Sequence, residues 1–144
     1  MSPLQFAIDY TPDRIVELFF LHEFQSQSDK IDVNKRSKKR IIGQKGEVFE
    51  KTVLYMSIEK NDTNTIKSLL SRADIDINEK SFHYSDDNRI EEKTALHLAV
   101  ENEDIEIVKL LLEKKEIDIN IQDLQGRKPI DCTSDSEIRQ LLSQ

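Results

Sequence analysis

Apolar residues in this chain come in short bursts at helical spacing, and the bursts come in pairs. Between Thr94 and Asn120, Leu96, Leu98, Ala99 and Val100 give a first helix an apolar side, and Ile107, Val108, Leu111 and Leu112 fall at i, i+1, i+4 and i+5 of a second. Each helix has room for only about two or three turns, too few to hold together alone in water. Their apolar sides must be covered by similar elements, and the chain supplies them. The pair returns as Ser2 to Ile8 with Ile15 to Phe20, as Thr52 to Ile58 with Ile66 to Leu70, and in decayed form as Lys128 to Ser134 with Ile138 to Leu142. Three copies close on one tetrapeptide type: Ile31-Asp32-Val33-Asn34, Ile75-Asp76-Ile77-Asn78 and Ile117-Asp118-Ile119-Asn120. The chain is therefore read as an internal repeat of a two-helix unit.

At these residues the sequence resembles the ankyrin-repeat family. Thr94 to Ala99, T-A-L-H-L-A, is similar to the family's T-P-L-H-L-A opening. Ile107 to Leu112 resembles its I-V-x-L-L-L, and Asp118-Ile119-Asn120 its D-V-N close. Asp123 to Ile130 resembles the D-x-x-G-x-T-P-L turn that begins a repeat. The resemblance implies an all-α ankyrin-repeat solenoid of about four helix-turn-helix repeats with elongated β-hairpin fingers, stacked at roughly 33 residues per unit. One domain is expected over residues 1–144, with repeats near 2–34, 52–78, 94–120 and 123–144.

The chain departs from the family mainly between its helices and in its connections. Asn61-Asp62 and Glu103 stand where the family commonly has glycine, and Ala95 replaces a proline. Asn tolerates the left-handed backbone such a turn requires, whereas Glu103 is expected to strain it. The connections 35–51 and 79–93 are much longer than a plain repeat turn. In the first, Ile41 to Phe49 reads as two short strands around a glycine-containing turn. In the second, Phe82-His83-Tyr84, a polar Asp86-Asp87-Asn88 and Arg89-Ile90 read as another hairpin. Repeat one starts at Ser2-Pro3, with no turn strand before it, and its second helix carries Leu21 and Phe24 beyond the repeat's core positions. These two are candidates for self-association. Ser134 to Glu137 reads as a capping box for a final helix whose polar side suits the end of a stack.

Charge adds one contrast. The net charge is −7 overall, yet the first connection alone carries +5, leaving −12 for the rest. That balance argues against general nucleic-acid binding. The basic run Lys35, Arg36, Lys38, Lys39 and Arg40 is the exception, readable as a solubilised finger tip, as a nuclear-import patch, or as a finger that binds nucleic acid or another anionic surface. Cys132 is the only cysteine, so no internal disulfide is available, which favours a reducing, intracellular and cytoplasmic setting. Met1 to Asp13 lacks the basic start and apolar run of a secretory signal.

Catalytic chemistry is not expected, nor any metal or cofactor. His22, His83 and His97 have no metal-ligand spacing among themselves or with Cys132. His97 falls on the histidine of the family's opening motif, which implies structural hydrogen bonds near the repeat turn. Cys132 aligns with the core position of Leu98 and reads as a small hydrophobe. What the resemblance does imply is a protein partner, bound on the concave side by finger tips and first helices. Carried over by alignment, that side holds Asp9 and Tyr10, then Glu59 and Lys60, then Arg89, Glu91, Lys93, Glu101 and Asn102, and finally Gln125 and Arg127.

Overall fold

Five α-helices and a 3-10 turn stack beside one sheet in the computed structural model, which describes residues 33–40, 48–85 and 89–144. Repeat one with Asp9, Tyr10, Leu21, His22 and Phe24 lies outside the described residues, as do the connection 41–47 and Asp86 to Asn88. In chain order the elements are β1 (Ser37–Arg40), β2 (Val48–Lys51), α1 (Val53–Glu59), α2 (Thr63–Leu70), β3 (Lys80–Tyr84) and β4 (Ile90–Thr94). Then come α3 (Ala95–Glu101), α4 (Ile105–Leu112), the 3-10 turn Pro129–Cys132 and α5 (Ser136–Leu142).

Helix starts are set by short polar side chains that satisfy otherwise unpaired amides. Thr52, Asp62, Thr94, Asp104 and Asp135 accept from the amides of Tyr55, Thr65, His97, Ile107 and Ile138 respectively. The last of these corrects the expected capping box: α5 is capped by Asp135, one residue beyond Ser134, because Asp135 Oδ1 reaches the Ile138 amide at 2.8 Å. The first helix of the last unit is only a 3-10 turn, begun by Pro129, which leaves Cys132 half-buried. Its thiol, pushed up in pKa by burial against the opposing charge of Arg127, lies 3.5 Å from the Lys128 carbonyl.

The core is aliphatic. Leu54 and Ile58 of α1, Ile66 and Leu69 of α2, Leu96 and Val100 of α3, Ile107 and Leu111 of α4, and Ile138 of α5 are all at most 2 % exposed. Leu98 and Leu112 sit at its margin, half-buried. Successive units are also tied by the asparagines that close the first two tetrapeptides. Asn34 Nδ2 donates to the Asp74 carbonyl (2.7 Å) while its Oδ1 accepts from the Asp76 amide (2.6 Å). Asn78 repeats the pattern one unit on, with the Glu116 carbonyl (2.8 Å) and the Asp118 amide (2.9 Å). The closing D-x-N is thus an amide-to-backbone ladder along the stack.

Asn61 and Glu103 both sit at φ 54°, one in each inter-helix turn. The turn geometry is therefore kept without glycine, and Glu103 holds a conformation that costs a β-carbon-bearing residue about 1–2 kcal/mol. Glu103→Gly is expected to raise stability by about 0.5–1 kcal/mol, the strain relief being offset in part by the freer unfolded chain. Urea unfolding should show a higher midpoint at unchanged slope; no shift would mean the turn carries no strain.

The two long connections form more than two hairpins. All four strands join in one antiparallel sheet of order β1-β2-β3-β4. Its rows run straight across, Lys39 to Phe49 to His83 to Glu91 and Lys38 to Glu50 to Phe82 to Glu92. This corrects the placement of the first finger's strands, which were expected around residues 41–49. Pairing with β3 fixes β2 at Val48–Lys51, and matching arms then set β1 at Ser37–Arg40. Lys38, Lys39 and Arg40 of the basic run lie accordingly on the outer strand of the described sheet, with Lys35 and Arg36 just ahead of it.

Candidate functional site

Strand alternation puts Phe49 and Lys51, Ser81 and His83, and Glu91 and Lys93 on one face of the sheet. That face looks onto α1. Between them lies a hollow of about 100 Å³, walled by Phe49, Tyr55 and His83 and rimmed by Lys51, Glu59, Glu91 and Lys93. Phe49 and His83 are cross-strand partners whose rings stack 4.2 Å apart at 6°. Lys51 Nζ sits 4.4 Å from the Phe49 centroid and 5.9 Å from that of Tyr55, and bridges to Glu59 Oε1 at 2.6 Å.

A second chain of charges continues from the hollow towards the last unit. Lys93 Nζ meets Glu101 Oε2 at 2.8 Å and Glu91 Oε2 at 3.6 Å. Arg127 Nη2 lies 3.9 Å from Glu101 Oε1 and 2.7 Å from Asp123 Oδ2. Burial pushes the Tyr55 phenol up, and the carboxylates of Glu59, Glu101 and Glu91 push it further, so it stays neutral. Lys93 is held above its ordinary value: burial lowers it, but the hydrogen bond and charge of Glu101, with Glu91 added, outweigh that.

Asp123 is the anchor of the final turn. Its Oδ1 accepts from the amides of Gln125 (2.9 Å) and Arg127 (2.8 Å), and its Oδ2 from Arg127 Nε (2.8 Å). Gly126 at φ 77° lets the chain turn tightly enough for this. Burial raises the Asp123 carboxyl, yet the Arg127 hydrogen bonds and charge, with the Gln125 amide, hold it below the usual carboxylate range. His97, with no exposed surface, spans the same turn. Its Nε2 lies 3.1 Å from the Arg127 carbonyl, which can only accept, so Nε2 carries the proton. Nδ1 then accepts from the Thr94 hydroxyl at 2.8 Å. Burial lowers the His97 pKa and keeps the ring neutral. The donor atoms of His97, Asp123 and Cys132 lie within 4.8 Å of one another, but each is already engaged in these bonds. That arrangement braces a turn.

Of the residues expected on the concave side, Glu59, Glu91, Lys93, Glu101 and Arg127 come together in this band of ion pairs. Lys60 and Asn102 are exposed at the ends of α1 and α3, where their amides cap the helices. Gln125 is exposed on the Asp123 turn, and the Arg89 carbonyl closes the β3–β4 connection by accepting from the Ser85 amide at 2.9 Å. In the basic run, Lys35 is exposed. Arg36 lies over the Phe82 ring at 4.7 Å and 3.4 Å from Glu79, while Lys38, Lys39 and Arg40 occupy β1. Phe49 and His83 lie in the lengthened fingers, for which the family's short fingers offer no counterpart, whereas Tyr55 stands at the repeat position of His97 and Lys51 at that of Lys93, so both were open to alignment. The period-two spacing of Phe49 with Lys51 and Ser81 with His83 was the available signal.

Helix pairs in series, an extended finger sheet and an asparagine ladder define a helix-turn-helix repeat solenoid. The family description "ankyrin repeats (3 copies)" matches residues 4–123, and the chain belongs to the ankyrin-repeat family. No curated protein matches the chain closely enough to serve as a relative. Ankyrin repeats are in general protein–protein interaction modules and typically non-catalytic. No helix of the described residues is long and apolar enough to cross a membrane.

Proposed function

We propose that this protein is a non-catalytic interaction module or scaffold, a single domain of four repeats that binds a protein partner through its concave face and finger tips. What supports the reading is the band from the Lys51–Glu59 pair through Lys93 and Glu101 to Arg127, which crosses successive units on the same face as the aromatic hollow. Variation there can change the partner without touching the aliphatic core. An intracellular, cytoplasmic setting fits the lone, half-buried Cys132.

The test is affinity capture with the intact chain as bait, followed by titration of the captured protein. Replacing Tyr10, Lys60 and Arg89 together is expected to weaken binding at least about tenfold, since aromatic and arginine side chains most often dominate interfaces. Arg127 is a poorer probe because it also holds Asp123. Unchanged affinity in a folded variant would remove the concave-face assignment.

A further inference from the structure

The aromatic hollow has a charge pattern that specifies its visitor. One aromatic face is already used to hold a cation. Phe49 has His83 stacked on one side, so the Lys51 ammonium 4.4 Å from its centroid occupies the other. Rings so placed attract cations through their quadrupoles. Tyr55 and His83 remain to line the open volume.

Among the described residues the hollow's own lining pairs Lys51 and Lys93 with Glu59 and Glu91, but Glu101 just outside it competes for Lys93. Glu59 is matched by Lys51 at 2.6 Å. Beyond it, Lys93 and Arg127 are shared among Glu91, Glu101 and Asp123, two cations against three carboxylates. The surplus falls on Glu91, whose side chain is 54 % exposed and whose one contact to Lys93 is long at 3.6 Å, whereas Glu101 is 25 % exposed and bridged at 2.8 Å. An acidic visitor would have to win Lys51 or Lys93 from short existing bridges. A cationic one finds a carboxylate at the rim and rings on the wall.

We propose that this hollow takes an arginine side chain from the protein partner, its guanidinium against the aromatic wall and its charge met by Glu91. Arginine is favoured over lysine because the planar fork both stacks on rings and grips a carboxylate with two donors. The proposal rests on the concave-face reading and adds the partner's chemistry to it.

The probe is the capped tripeptide Gly-Arg-Gly, titrated into the intact, isotope-labelled protein by amide NMR. Capped Gly-Nle-Gly and Gly-Glu-Gly serve as comparisons, where Nle is norleucine. Saturable shifts at Phe49, Tyr55, His83 and Glu91 are expected for the arginine peptide alone. Glu91→Gln should weaken it about threefold to fivefold, the size of an exposed ion pair. Shifts scattered over the acidic body, equal binding of the norleucine peptide, or affinity unchanged in Glu91→Gln would each overturn the assignment. Because Glu91 is exposed, the variant folds normally, and its native amide spectrum verifies this. A captured protein that binds through the concave face yet ignores Glu91→Gln would refute the arginine assignment alone.

Discussion

Leu96→Ala is expected to cost about 3 kcal/mol and to lower Tm by about 10 °C, the effect of a core leucine truncated where its surroundings cannot close in. Leu96 is fully buried in α3. That helix packs against α1 on one side, the terminal 3-10 turn on the other and α4 behind. A cavity here therefore weakens contacts to both neighbouring units at once, and in a stack whose stability is a sum of nearest-neighbour interfaces the loss is not confined. Against a usual total of about 5–15 kcal/mol, the variant should begin to unfold at much lower urea. Leu124→Ala is the control: this leucine is 55 % exposed and should shift stability by less than about 0.5 kcal/mol. Equal midpoints for the two variants would refute the central position given to α3.

Asp123→Ala should be about as damaging, near 3 kcal/mol, because it strips the acceptor from two turn amides and from the Arg127 guanidinium. The same turn sets the response to acid. His97 has a lowered pKa in the folded chain, so its contribution is complete above its unfolded value of about 6.5 and is lost as pH falls through that value towards the folded one. Asp123 is lowered as well, and its contribution persists until pH falls below about 3.9, the unfolded carboxylate value. Stability measured by urea midpoint should thus decline in two stages on acidification. His97→Gln should flatten the first stage whatever its absolute stability, and Asp123→Asn the second. A first stage unaltered in His97→Gln would show that another group governs it.

How far the sequence reveals this molecule depends on which residues carry repeated information. The helices of the two middle units are legible because Leu54 with Ile58, and Leu96 with Val100, recur at matching positions of a pattern that burial enforces. Asn34 and Asn78 are visible as a motif, but their bonds reach partners some 40 residues away and only the stack brings them together. The sheet is legible in part. Each hairpin has its turn and strand signals, yet the pairing of β2 with β3 is a contact between units, invisible to local spacing. The candidate site follows from that pairing: Phe49 and His83 meet only because two fingers lie side by side. Glu59, Glu91, Lys93, Glu101 and Arg127 were reachable by alignment because they sit at fixed offsets from the repeat openings.

The shared sheet also binds the lengths of its two fingers to one another. A residue inserted in the 35–51 connection ahead of β2 must either be absorbed by the bend or slide a strand by one place, turning Phe49 away from His83 and towards the opposite surface. The final turn at Asp123 is short and adds no strand, so the constraint holds between the two fingers that pair. Length changes that reach these strands would then be quantised, since only steps of two keep Phe49 and His83 on a common surface.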